Sequence, residues 1–197
     1  MELSRSTTPR GELAGQELLA IARESIGEAL GLAEAASRGA PWLFEPGASF
    51  VTLTREGALR GCVGSIHAYR SLYADVRANA QAAAFDDTRF RPLVTSELEL
   101  VRIEVSLLTP PEALPVAGEQ EALARLRPHV DGVILEAGRL RSTFLPQVWD
   151  QLPEPADFLT HLKAKAGLPP GFWSKEVRLQ RYQVSKWKEP AEPSNRG

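Results

Sequence analysis

Apolar residues recur at intervals of three and four in the first third of the chain. Over residues 13–36 they include Leu19, Ala22, Ile26 and Leu30, with charged residues between them. This spacing predicts an amphipathic helix. The alanine-rich stretch 69–85 predicts a second helix, which ends at the sequence "DDTRFRPL" because Asp and Pro disfavour helix continuation.

Strict alternation of apolar and polar residues predicts strands elsewhere. The clearest case is the sequence "VRIEVSL", in which Val101, Ile103, Val105 and Leu107 face one way and Arg102, Glu104 and Ser106 face the other. Hairpins are predicted over residues 50–66 and 131–146, short helices over 119–128 and 146–169, and a last strand over 177–189. Because strands and helices mix without regular βαβ alternation, we expect an α+β fold with an antiparallel sheet and flanking helices.

The length and composition are those of an ordinary globular domain. The chain has 197 residues, of which 43% are hydrophobic and 24% are charged. We therefore predict one domain over residues 13–188, a flexible arm over 1–12 and a flexible tail over 189–197. The first residues lack the apolar core of a secretory signal, and no apolar run approaches the roughly 20 residues of a membrane span. These features predict a cytoplasmic protein without a membrane partner.

The overall charge argues against a general nucleic-acid binder. The formal net charge is -2, whereas binding to phosphates usually requires a basic excess. The predicted last strand is an exception, since it carries Arg178, Arg181, Lys186 and Lys188. Such a strand can contact nucleic acid, or it can guard a sheet edge against aggregation. Nucleic-acid binding or modification is thus a weaker alternative.

Metal-binding and disulfide chemistry find little support. The single cysteine excludes an internal disulfide and a cysteine-rich zinc site. His67, His129 and His161 lie in separate segments without metal-ligand spacing. We predict no metal site and have no basis for naming a cofactor.

The single cysteine lies in the segment "LRGCVGSIH", which is the strongest candidate for function. In a regular strand, Arg60, Cys62 and Gly64 share one face and His67 lies on the other, unless a glycine forms a bulge. Arg60 is then the neighbour that can activate a Cys62 thiol. The alternative is that Cys62 packs as a small apolar residue. Gly61 and Gly64 indicate close approach of a ligand or of another backbone.

Two acidic positions extend this candidate site. Asp86 and Asp87 follow the second helix, where the helix dipole does not favour carboxylates, and they can form an ion pair with Arg89 that fixes the loop. Alternatively, Asp87 can line a cleft with Arg60, joined by Glu104 from the polar face of its strand. The candidate catalytic residues are therefore Cys62, Arg60, Asp87 and Glu104, and the candidate binding residues are Gly61, Gly64 and Arg89.

Six blocks, which include "LRGCVGSI", "AAAFDDTRFRPL" and "DGVILEAGRLRSTFLPQVWDQLP", occur in an order that resembles the AMMECR-domain family. The closest resemblance is to its bacterial form, protein A of the AmmeMemoRadiSam system. Val63 stands where the family often has Ile, and Thr88 where it often has Pro. The resemblance implies an α+β fold with a larger and a smaller lobe, and association with a Memo-like protein and a radical-SAM protein. It implies no secure reaction.

Two main hypotheses for the function follow. The chain is an enzyme component with a cleft around the "LRGCVG" block, or it is a non-catalytic interaction or scaffold protein in which this block shapes a recognition groove or a rigid core.

Overall fold

The computed structural model describes residues 11–32 and 39–190, which divide into two compact units. The larger unit contains the chain up to Leu108 and the segment from Ser185 onward, and the smaller unit is Thr109–Val184. Most of the predicted arm and tail, residues 1–12 and 189–197, lies outside the described residues. Within the described part of the chain, no helix combines the length and the apolar character that a membrane crossing requires.

The described residues form four α-helices and eight strands. The helices are α1 (Glu12–Ala29), α2 (Leu72–Phe85), α3 (Glu119–Arg125) and α4 (Pro155–Lys165). The strands are β1 (Ala48–Arg55), β2 (Ala58–Gly64), β3 (Val101–Leu108), β4 (Glu112–Leu114), β5 (Gly132–Ala137), β6 (Leu140–Phe144), β7 (Val177–Tyr182) and β8 (Val184–Lys188). Short 3-10 helices cover Pro41–Phe44, Thr95–Leu100 and Pro146–Asp150. The α+β fold predicted from the sequence is confirmed.

The larger unit packs α1 and α2 against one face of an antiparallel sheet with the strand order β2-β1-β3-β8. The predicted apolar face of β3 is confirmed, because Val101, Ile103, Val105 and Leu107 are all buried. The Ser71 hydroxyl begins α2 by accepting the backbone N–H of Ala74 at 3.3 Å. The opposite face of this sheet carries the candidate site.

The smaller unit contains a second antiparallel sheet, with the order β4-β7-β5-β6, and packs it against α3 and α4. Trp149 stacks on Phe158 with ring centroids 3.7 Å apart, and its indole N–H donates to the Asp131 carbonyl at 2.7 Å. The aromatic pair therefore fills the core while its polar atom stays bonded.

The prediction of one continuous strand over residues 177–189 is wrong. β7 lies between β4 and β5, whereas β8 lies beside β3 in the other sheet. Gln183 separates the two strands and exchanges backbone and side-chain hydrogen bonds with Thr109, each at 2.9 Å. The basic residues therefore fall on two sheets: Arg178 and Arg181 belong to β7, and Lys186 and Lys188 belong to β8.

Candidate functional site

Cys62 lies in β2, an edge strand of the larger unit's sheet, directly opposite Thr52 of β1. Its backbone N–H and C=O bind side chains of the loop after α2 rather than β1. Both groups therefore point out of the sheet edge. Cys62 and Thr52 form the type of antiparallel pair whose side chains lie closest together.

Asp87 and Arg89 close this edge, and together they form the Asp87–Arg89 clamp. The Cys62 N–H donates to Asp87 Oδ2 at 2.9 Å, and Arg89 Nη2 donates to the Cys62 carbonyl at 3.3 Å. Arg89 also pairs with Asp87 through Nη2–Oδ2 and Nε–Oδ1 contacts of 2.6 and 2.9 Å. The predicted ion pair that fixes the loop is confirmed.

The clamp changes the proton affinity of both side chains. Hydrogen bonds from the Arg89 guanidinium, and secondarily from the Cys62 N–H, hold the pKa of the Asp87 carboxyl well below its usual range. The same pairing raises the pKa of Arg89. Asp87 is thus a carboxylate that accepts hydrogen bonds near neutral pH, and it is poorly suited to abstracting a proton.

Cys62 is half-buried, and the neighbour of its sulfur is a hydroxyl. Thr52 Oγ1 donates to Cys62 Sγ at 3.3 Å. Glu104 of β3 is in register with the other side of Thr52, so Cys62, Thr52 and Glu104 form one row across three strands. Neighbouring strands are about 4.8 Å apart, which separates the Cys62 and Glu104 backbones by about 10 Å. Glu104 shares the face of Cys62, but Thr52 lies between them.

Arg60 departs from the predicted alternation. Leu53 is in register with Gly61, but Thr54 is in register with Leu59, so Arg60 is the extra residue of a β-bulge. The prediction that Arg60 faces the same way as Cys62 rests on simple alternation. The bulge interrupts this two-residue period at Arg60. The bulge occurs one residue before the glycine at which the sequence allowed for one.

The Arg60 guanidinium is directed to Glu97 of the 3-10 helix Thr95–Leu100. Nε and Nη2 donate to the two carboxylate oxygens at 3.2 and 2.9 Å, and Arg55 adds a third contact at 3.3 Å. The Arg60 bond, with help from the Val94 N–H, lowers the pKa of Glu97. The remaining nitrogen, Nη1, is buried without a hydrogen-bond partner, and the guanidinium carbon lies 6.0 Å from the centre of the Phe90 ring.

The two glycines of the block have separate packing roles. A Cβ on Gly61 would overlap the Ala83 carbonyl oxygen of α2, so this glycine lets the helix backbone approach the strand. A Cβ on Gly64 would overlap the Phe50 ring, which lies over Gly64 from the neighbouring strand. The close approach predicted from the sequence is made by the protein's own backbone at Gly61 and by an aromatic ring at Gly64.

A buried polar cluster beside β2 was not predicted from the sequence. Asp75 of α2 is fully buried and accepts hydrogen bonds from Ser49, Ser65, Arg70 and Asn79 at 2.7–2.9 Å. A signal for it exists, since Asp75 and Asn79 are spaced by four residues among the apolar positions of α2. Every donor is matched, which is typical of a network that specifies packing.

A surface depression of about 630 Å³ lies at the hairpin end of the same sheet. Its lining includes Thr54 and Arg102, which are in register on β1 and β3, together with Leu100 and Lys188. Leu100 is 50% exposed. Glu56 and Glu189 also line it, so the depression joins an exposed apolar side chain to charges of both signs, a combination found in surfaces that bind other molecules.

Metal-binding groups do not assemble at this site. Within residues 11–32 and 39–190, no three His, Cys, Asp or Glu side chains come together in a way that holds a metal ion. What the arrangement offers chemically is the thiol of a half-buried cysteine beside a threonine hydroxyl, on a strand fixed by charged side chains.

Comparison with known proteins gives a consistent result. The sequence model of the AMMECR1 family matches residues 19–187. A protein of Methanothermobacter thermautotrophicus is 40% identical over 146 residues, which are 71% of this chain and 74% of the relative. Protein SSO0193 of Saccharolobus solfataricus is 36% identical over 191 residues, 90% and 82% of the two chains. The crystal structure of the uncharacterised protein PH0010 from Pyrococcus horikoshii superposes with a TM-score of 0.79 at 31% identity, covering 89% of this chain and 91% of that chain.

Proposed function

This chain belongs to the AMMECR1 family, and we propose that it is a non-catalytic component of a multi-protein system, in which it binds a Memo-like protein and a radical-SAM protein. The choice of partners rests on the resemblance of its ordered sequence blocks to protein A of the AmmeMemoRadiSam system. The non-catalytic role rests on the geometry around Cys62.

The observation that carries the proposal is the engagement of the charged candidates in the fold. Asp87 binds the Cys62 backbone and Arg89, and Arg60 binds both oxygens of Glu97. These bonds engage the side chains in holding the fold together. Catalysis, in contrast, needs an acid or base that exchanges a proton with substrate. The "LRGCVG" block accordingly builds a rigid sheet edge.

The surface that such an edge supports is the exposed face of the sheet. The depression near Thr54 and Lys188 lies on the same sheet, of which β2 is an edge strand. Leu100 supplies an apolar contact, Arg102 and Lys188 supply positive charge, and Glu56 and Glu189 supply negative charge. We propose that a partner carrying an apolar side chain flanked by charges of both signs binds there, since interfaces combine a buried apolar centre with complementary charge.

Co-purification tests this function. Tagged protein is mixed with a Memo-like protein and a radical-SAM protein from the same organism, and the same is done with the variants Leu100→Arg and Lys188→Glu. We expect the wild type to retain a partner and both variants to lose it. Lys175→Glu, an exposed lysine of the smaller unit, is the matched control and is expected to bind normally. Failure of the wild type to retain either protein would reject the proposal.

A second candidate function is favoured by one observation: the sulfur of the half-buried Cys62 accepts a hydrogen bond from Thr52. A hydroxyl in this position stabilises a thiolate, so Cys62 is the residue on which an enzymatic role would depend. Native protein is treated with iodoacetamide across a pH series, with Thr52→Val as the comparison. Catalysis through Cys62 requires fast alkylation that slows in Thr52→Val. A thiol that stays unreactive to about pH 9 until the chain unfolds excludes it.

A further inference from the structure

The outer edge of β2 is closed by side chains in positions that backbone groups of another strand would otherwise take. Asp87 accepts the Cys62 N–H, and Arg89 donates to the Cys62 carbonyl. A neighbouring strand would offer the same two functions through one carbonyl and one N–H. The clamp therefore occupies a site for strand addition, and edge strands that lack such protection are prone to pair with other chains.

The N–H and C=O that Cys62 directs out of the sheet edge are complementary to themselves. In an antiparallel hydrogen-bonded pair, two opposed residues exchange both of their N–H···O bonds. Two copies of β2 related by a two-fold axis through Cys62 would satisfy each other in this way, and a two-fold axis is the commonest symmetry of protein dimers. We propose that the outer edge of β2 is a self-pairing surface, that its partner is β2 of a second copy of this chain, and that the Asp87–Arg89 clamp keeps it closed.

The neighbouring residues suit this role. Gly64, two residues after Cys62, directs its backbone groups to the same outer edge by the alternation of the strand. The Arg60 bulge limits the flat part of the edge to a few residues, since a bulge twists a strand away from an in-line partner. The pairing is therefore short, and the dimer it forms is weak and depends on protein concentration.

The two side chains of the clamp differ in their accessibility. The Arg89 side chain is 54% exposed, whereas that of Asp87 is 7% exposed. Opening consequently begins at Arg89, whose departure frees the Cys62 carbonyl and one side of Asp87. Removal of Arg89 alone is expected to loosen the edge, and removal of both side chains is expected to open it.

The single cysteine makes the pairing directly measurable. Opposed residues in a hydrogen-bonded antiparallel pair have Cα atoms about 5.5 Å apart, so a short bis-maleimide links two Cys62 thiols only when the two edges meet. Full-length wild type, Arg89→Ala and Asp87→Ala/Arg89→Ala are treated with it, and their molar masses are followed against concentration by light scattering. Glu136→Ala/Arg141→Ala removes a cross-strand ion pair of the smaller unit and is the matched control.

We expect wild type and control to stay monomeric and unlinked. The double variant should form a linked dimer, and Arg89→Ala a smaller fraction of it, with circular dichroism showing native secondary structure in each. Folded variants that remain unlinked monomers at high concentration would overturn the proposal, as would a wild type that links as readily as they do. If the double variant does not fold, Arg89→Ala decides the question, because it frees the Cys62 carbonyl: a linked dimer supports the proposal, and its absence at high concentration overturns it. None of these outcomes depends on binding to a Memo-like or radical-SAM protein.

Discussion

The Asp87 carboxylate accepts the backbone N–H of Cys62 at 2.9 Å, and this bond joins the loop after α2 to the edge of β2. Because Arg89 pairs with the same carboxylate and also binds the Cys62 carbonyl, three residues form one closed arrangement. Asp87 and Arg89 therefore both have a structural role at this edge. This account predicts how the protein responds to substitution and to pH.

The clamp gives the stability a defined dependence on pH. Folding lowers the pKa of Asp87, so its contribution is fully present above the pKa of an unfolded aspartate, about 3.9, and is lost as the pH falls toward the folded-state value. We expect the wild-type free energy of unfolding in urea to decline below about pH 5. Asp87→Asn should be less stable by about 1–2 kcal/mol near neutral pH and should show a shallower decline. Asp86→Asn, at the exposed neighbouring position, serves as the control, and an equal loss in it would argue against the clamp.

Gly61 is required for contact between β2 and α2. Its Cβ position overlaps the Ala83 carbonyl oxygen, which belongs to the helix backbone and cannot rotate away. Gly61→Ala is therefore expected to lower the free energy of unfolding by about 1–3 kcal/mol through overpacking. Gly171→Ala, where no atom lies within 4 Å of the added carbon, should change it little. Equal stabilities of the two variants in denaturant unfolding would show that the helix shifts freely.

Arg60 and Glu97 should behave as one unit in a double-mutant cycle. Their side chains are 13% and 18% exposed and share two hydrogen bonds. We expect Arg60→Leu and Glu97→Gln to show a coupling energy of about 1–2 kcal/mol in urea unfolding. A coupling energy near zero, with Arg60→Leu as stable as the wild type, would contradict a structural role for Arg60 and would favour a role in ligand binding.

The Asp75 cluster is expected to be the most sensitive polar position of the larger unit. Its carboxylate is fully buried, and Asp75→Ala leaves Arg70 and the hydroxyls of Ser49 and Ser65 without their acceptor. Loss of one partner in such a buried network costs about 3–5 kcal/mol. Thermal unfolding should show this loss, while Asp150→Ala, whose side chain is 74% exposed, remains near the wild type. A small effect at Asp75 would mean that water replaces the carboxylate.

Periodicity predicted those elements whose side chains divide cleanly between core and solvent. α1 follows the three-and-four spacing, α2 lies within the alanine-rich stretch, and the apolar positions of β3 are buried as the alternation indicates. The ion pair of Asp87 and Arg89 was also predictable, because the two residues are close in sequence. These features depend on local spacing alone.

The remaining features depend on tertiary contacts that local spacing does not encode. The Arg60 bulge is defined by the register of β2 against Thr54 and Leu53. The break between β7 and β8 is defined by hydrogen bonds between Gln183 and the distant Thr109. Glu97, the partner of Arg60, lies 37 positions away. Local spacing therefore gave no sign that Arg60 pairs with Glu97.

Amide hydrogen exchange at Cys62 tests the central claim most directly. An edge-strand N–H that faces water exchanges quickly, whereas one held by a carboxylate is protected. We predict that the Cys62 amide is protected in the wild type and loses protection in Asp87→Ala. The Val63 amide, which faces β1 by the alternation of the ladder, should stay protected in both. Rapid exchange of the Cys62 amide in the wild type, or unchanged protection in Asp87→Ala, would contradict the structural role assigned to the clamp.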